Sequence, residues 1–95
     1  MSVARVPFEH AVVDPLSFSV SDVTGMRSLD IGGVDGHRPA SDVAMSVADL
    51  LELPTNTPYS LRDDTNARML LDDRPLGSQV DMDAKLVVIP KAHLG

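Results

Sequence analysis

The sequence predicts an α+β fold, a mixed β-sheet with one helix packed across it. Two alternating runs near the start, one amphipathic run in the middle and three short β-prone runs after it carry that prediction. Leu16 to Val23 alternates: Leu16, Phe18 and Val20 share one face, and Ser17, Ser19 and Ser21 share the other, the period-2 pattern of a half-buried strand. Thr24-Gly25 supplies a tight turn. Met26 to Ile31 then alternates again, with Leu29 and Ile31 inward, so the two runs form a β-hairpin.

Gly32 to Gly36 reads as a flexible link. It matches neither the phosphate-loop pattern, which ends in Gly-Lys-Ser/Thr, nor a GxGxxG dinucleotide loop, so its glycines are turn glycines. A helix follows over about Ser41 to Leu53, with Ser41 as N-cap, Asp42 near the positive end of the dipole, and Pro54 as the stop. Its inward face is Val43, Val47, Leu50 and Leu51. A rival reading starts the helix at Ser46 with Asp49 closing a capping box. It needs a strand through Pro39, which fits badly, so the longer helix is preferred.

Beyond the helix, Tyr59-Ser60-Leu61 and Met69-Leu70-Leu71 are short strands separated by a turn from Asp63 to Asn66. Asp72 to Pro75 breaks the second, and Leu76 to Val80 is a turn with two buried anchors. Leu86 to Ile89 is the most β-prone run and the expected central strand, with Leu86 and Val88 on one face and Val87 and Ile89 on the other. Residues 1–15 show no period and read as an N-terminal extension, residues 16–89 as the domain, and residues 90–95 as a C-terminal tail.

Bulk composition narrows the function. Ninety-five residues make one domain, and with Phe8, Phe18 and Tyr59 the only aromatics its core must be aliphatic. A net charge of −6 repels phosphate backbones and anionic lipid, so neither nucleic acid nor a membrane is an expected partner. The absence of cysteine removes disulfides and thiolate catalysis, and with no leader-like start the cytoplasm is the expected compartment.

The order strand, strand, helix, strand, strand, strand in about 80 residues resembles the β-grasp fold of ubiquitin and its relatives. Asp22-Val23-Thr24-Gly25-Met26 looks like the ubiquitin hairpin turn. Leu53-Pro54, Tyr59-Ser60-Leu61, Leu70 to Leu76 and Leu86 to Pro90 look like the second half of bacterial ubiquitin-like proteins. Those are encoded beside genes for ubiquitin-activating, ubiquitin-conjugating and deubiquitinase-like enzymes; ubiquitin-like domains of type VII secretion systems are similar.

The resemblance implies a protein modifier with an E1-like activating enzyme, an E2-like conjugating protein and a deubiquitinase-like protease as partners, in a conjugation pathway such as antiviral defence. No cofactor is implied. Gly95 would supply the conjugated carboxylate and Lys91, Ala92, His93 and Leu94 the tail that the E1 binds. Glycine suits that place because a side chain beside the carboxylate would clash with nucleotide and thiol. Leu94 departs from the family's penultimate glycine, which points away from an ordinary ubiquitin E1 and leaves open a dedicated one with a roomier channel. A non-conjugated interaction module and a sulfur carrier remain as alternatives; Leu94 weighs against the carrier equally.

The family's partner-binding patch lies on the outer sheet face. By position the matching residues are Val23, Ser60 or Arg62, and Ile89, with Val87 beside them. The alternative is that these residues pack beneath the N-terminal extension. No enzyme is expected. His10, His37 and His93 have no metal-ligand spacing, and GxSxG is missing. Asp63-Asp64 and Asp72-Asp73 are adjacent carboxylates whose side chains diverge on a strand, which suits turns better than an acid–base pair.

Overall fold

The computed structural model describes residues 15–54 and 56–91. Its elements run β1 (Leu16–Ser21), β2 (Ser28–Val34), α1 (Ala40–Leu50), β3 (Tyr59–Asp63), β4 (Arg68–Met69), a 3-10 turn at Leu76–Ser78, and β5 (Ala84–Pro90). The five strands form one sheet in the order β2-β1-β5-β3-β4. β1 and β5 are parallel, and the other neighbours are antiparallel. The helix lies across one face, the mixed-sheet α+β arrangement that the hydrophobic pattern predicts.

β5 is central, hydrogen-bonded to β1 on one side and β3 on the other. Its alternation decides which residues are core. Ala84, Leu86 and Val88 are buried, while Val87 and Ile89 are half-buried on the opposite face. Phe18 and Val20 of β1, with Tyr59 and Leu61 of β3, continue the buried layer on either side. The helix meets that layer with Ala40, Val43, Ala44, Val47, Ala48 and Leu51, residues at i, i+3, i+4, i+7, i+8 and i+11. Three of the six are alanines, so the helix sits close to the sheet, and Leu70 and Leu76 close the core at its edge.

Several boundaries differ from the sequence reading for identifiable reasons. Gly32 to Val34 is strand, not link. Leu16 pairs with Val34 and Phe18 with Ile31, so β2 carries an extra residue in a bulge that Gly33 permits at φ 74°. Ser41 is not the N-cap. The helix begins at Ala40 after Pro39, and no side chain caps it. Main-chain carbonyls do so instead: Ala40 N–H donates to Arg74 O and Ser41 N–H to Asp72 O, both over 3.0 Å.

The helix also ends before Pro54. Glu52, at φ 61°, takes the left-handed conformation; Leu53 N–H reaches Ala48 O at 2.9 Å and Glu52 N–H reaches Asp49 O at 3.0 Å. That pair of bonds is a Schellman closure. Leu50, expected inward, is 60% exposed, and Leu29, on the inner face but near the open edge beside β2, is 36% exposed. Arg68–Met69 replaces Met69–Leu71 as the fourth strand, and Leu70 leaves it to enter the core.

Candidate functional site

The hairpin tip between β1 and β2 is held by its own side chains. Asp22 N–H donates to Arg27 O and Gly25 N–H to Asp22 O, each at 3.1 Å. Thr24 Oγ1 donates to Asp22 Oδ1 at 2.8 Å and accepts Met26 N–H at 3.1 Å. Slight desolvation pulls the Asp22 carboxyl upward, but the Thr24 hydroxyl and backbone N–H groups of Arg27, Gly25 and Thr24 outweigh it and hold the group below its ordinary value. Arg27 in turn donates to Leu51 O at 2.8 Å and Glu52 O at 3.2 Å, which ties the hairpin to the negative end of α1. Val23 is thereby presented at the tip, half exposed.

Across the outer face, β5 contributes Val87 and Ile89, and β3 contributes Arg62, directly opposite Val87. Val23, Arg62, Val87 and Ile89, the four residues that the sequence nominates as a partner-binding surface, line one depression of about 300 Å³ with Asp22 and Asp64 at its rim. Arg62 Nε lies 3.5 Å from Asp64 Oδ1, both side chains about half exposed. The surface is thus an aliphatic trio around a guanidinium.

Ser60, the other third-strand candidate, is only 3% exposed. Its hydroxyl donates to Asp72 Oδ1 at 3.0 Å, and Asp72 Oδ2 meets Lys91 Nζ at 2.7 Å. Lys91 also donates its N–H to Pro58 O at 2.9 Å. The root of the tail is therefore fixed beside Ile89, on the edge of the same surface. Ala92, His93, Leu94 and Gly95 lie outside the described residues, as do His10 and residues 1–14 in general.

A second hollow, of about 460 Å³ and mostly apolar, lies on the other side of the tail root. The hairpin residues Asp22, Val23 and Thr24 belong to both, and Leu53, Pro54, Tyr59, Val88 and Pro90 form the apolar part of its wall. Sequence reasoning missed it because its residues come from three stretches far apart in the chain, 22–24, 53–59 and 88–90. The one available signal was the pair Leu53-Pro54 followed by Tyr59, whose hydroxyl donates to Pro54 O at 2.6 Å and pins that loop.

The carboxylate pairs behave as turn residues. Asp63 is fully buried and accepts Thr65 N–H at 3.0 Å, Asn66 N–H at 3.3 Å and Asn66 Nδ2 at 2.8 Å, while Asp64 points to solvent. His37 stands exposed against Asp35, 3.1 Å from Nδ1 to Oδ1. The Asp35 carboxyl is held below its ordinary value first by the His37 backbone N–H, then by the His37 side chain and the nearby Arg38 charge. Among the described residues no three of His, Cys, Asp and Glu converge. The outer face offers aliphatic contact, one guanidinium and exposed carboxylates.

No protein-family model and no curated protein sequence matches the chain. Solved structures do. It is similar to the ubiquitin of Caldiarchaeum subterraneum at 22% identity and TM-score 0.63, over 80% of this chain and 92% of that one. A ubiquitin-like domain from Arabidopsis thaliana aligns over 96% of this chain and 93% of its own, at 18% identity and TM-score 0.64. The ubiquitin-like domain of Plasmodium falciparum Dsk2 aligns over 80% and 97%, at 12% identity and TM-score 0.61. The fold is the ubiquitin-like β-grasp, with one helix across a mixed five-stranded sheet. No helix among the described residues is long and apolar enough to cross a membrane.

Proposed function

We propose that this chain is a ubiquitin-like modifier: other proteins grip its outer sheet face, and an E1-like enzyme activates Gly95 for transfer through an E2-like protein to a target. A deubiquitinase-like protease would reverse the step. The observation that carries the reading is the adjacency of the two parts a modifier needs. Ile89 of the surface lies in the central strand and Lys91 at the tail root follows two residues on, just past the strand's end, so an enzyme holding the face has the tail beside it. The ubiquitin-like fold and the resemblance of the last strand and tail support the assignment, and the resemblance extends it to a bacterial conjugation pathway, antiviral defence included.

Activation would proceed by attack of the Gly95 carboxylate on the α-phosphorus of ATP, releasing pyrophosphate. The enzyme's cysteine thiolate would then displace AMP to form a thioester. The chain supplies the carboxylate and the surface, and the partner supplies the nucleophile.

Intact-mass measurement after incubation with an E1-like enzyme, its E2-like partner and ATP tests the reading. A thioester or isopeptide adduct that disappears when Gly95 is deleted is the expected result. Absence of any adduct with a folded domain favours the second reading, a non-conjugated module that binds through the outer face. Leu94, beside the terminal glycine, is the observation that favours that second reading. On either reading Val23→Asp and Ile89→Asp should abolish partner binding, while Leu50→Asp, on the far side of the helix, should not.

A further inference from the structure

We propose that Asp72 is a positioning residue for the C-terminal tail, through the ion pair it makes with Lys91. The proposal rests on the reading of the tail as the segment an activating enzyme takes up. Asp72 is tied to three parts of the fold. Its main-chain carbonyl accepts Ser41 N–H at 3.0 Å in the first turn of α1. Its Oδ1 accepts the buried Ser60 hydroxyl of β3 at 3.0 Å. Its Oδ2 holds Lys91 Nζ at 2.7 Å. The carboxylate is thus oriented by the helix and the sheet before it meets the lysine.

Lys91 is held twice, by this pair and by the bond from its N–H to Pro58 O at 2.9 Å. One anchor fixes the main chain where it leaves β5; the other fixes the side chain on the outer face beside Ile89. The residues that follow start from a defined point, and four of them reach at most about 14 Å. Both partners of the pair are more than a third or about a third exposed, so it adds little to overall stability. Its effect is directional: a tail that leaves from a fixed root loses less freedom on entering a channel. A positioning role of this kind acts on the enzyme's KM for the modifier and leaves kcat alone.

Asp72→Asn is the informative variant, because the amide oxygen still accepts from Ser60 while the charge facing Lys91 is gone. The backbone 15N heteronuclear NOE of Lys91 should fall in this variant and in Lys91→Met, with no further fall in the double variant. Core amide shifts at Leu61, Leu86 and Val88 should stay in place. With an E1-like enzyme, ATP–pyrophosphate exchange should show KM for the modifier raised about 2- to 5-fold in Asp72→Asn with kcat unchanged, and Asp72→Glu should restore it in part. An unchanged Lys91 NOE, or a loss confined to kcat, overturns the proposal. If the wild-type chain supports no exchange at all, the modifier reading fails, and the NOE comparison alone decides whether Asp72 holds the root.

Discussion

Gly36 and Gly77 meet face to face: Gly77 N–H donates to Gly36 O at 2.8 Å, in the contact that seats the 3-10 turn Leu76–Ser78 against the loop before α1. A Cβ on Gly77 would lie 3.1 Å from both the Cα and the O of Gly36, and a Cβ on Gly36 would lie 3.2 Å from Gly77 Cα. The obstructing atoms are backbone, so neither side can yield by changing a rotamer. Leu76, fully buried next to Gly77, would be displaced with the turn. Gly77→Ala should therefore destabilise the domain by about 1–3 kcal/mol, read as a lower urea midpoint at unchanged m-value. Asp73→Ala, exposed in the preceding loop and with no side-chain bond among the described residues, serves as the control and should stay within about 0.5 kcal/mol.

Asp63 is a buried carboxylate whose partners are all N–H donors from the turn that follows it. The arrangement explains how a charge tolerates full burial at the end of β3: Thr65 N–H, Asn66 N–H and the Asn66 amide take up its lone pairs. Asp63→Ala leaves those donors without their acceptor and should cost about 1–3 kcal/mol. Asp63→Asn keeps one carbonyl oxygen and should cost less. Thermal unfolding of the two variants side by side checks the order; equal losses would mean that the bonds to Thr65 and Asn66 contribute nothing separable.

The sheet was legible because alternation is a local property. Leu16, Phe18 and Val20, then Leu86 and Val88, announce a buried face whatever surrounds them, and their neighbours Val87 and Ile89 announce the other. The surface of Val23, Arg62, Val87 and Ile89 followed from the same alternation plus the resemblance. What failed to show was set by contacts between distant segments. Ser41 has the right chemistry for a cap, yet Asp72 and Arg74, some thirty residues on, bring carbonyls to the helix and move its start to Ala40. Ser60 reads as an outward polar residue until Asp72 covers it. Leu50 and Leu51 are adjacent leucines at the end of a helix, and Leu51 is the buried one because it continues the stripe of Ala40, Val43, Ala44, Val47 and Ala48, whose alanines carry too little hydrophobic signal to mark the face in the sequence.

Glu52 is the residue on which the helix closure depends, and its side chain is the wrong one for the conformation. It holds φ 61° at the position where glycine is favoured, and it completes the Schellman bonds of Leu53 to Ala48 and of its own N–H to Asp49. Its carbonyl also accepts from Arg27, so the geometry is imposed from two sides. Glu52→Gly keeps every main-chain bond and removes the Cβ penalty. The variant should gain about 0.5–1 kcal/mol, less whatever glycine gives to the unfolded chain. Chemical denaturation that shows a loss instead would mean that the Glu52 side chain stabilises the loop by a contact of its own.

Acid should loosen the hairpin tip before it unfolds the domain. The Asp22 carboxyl lies below its ordinary 3.8 when folded, because Thr24 and the turn N–H groups favour the charged form over the opposing desolvation. A group with a depressed folded value contributes stability that is complete above the unfolded value and is lost as pH falls through the folded one. The contribution is therefore intact at neutral pH and begins to fade below about pH 4. An NMR titration of the Asp22 side-chain carbon should give a midpoint below 3.8, with the Gly25 and Met26 amides shifting in step. Thr24→Val removes the hydroxyl donor and should move that midpoint upward. Since Val23 sits on this turn, partner binding through the outer face should weaken over the same acidic range in the wild type and at higher pH in Thr24→Val; a partner whose affinity ignores both changes does not use the tip.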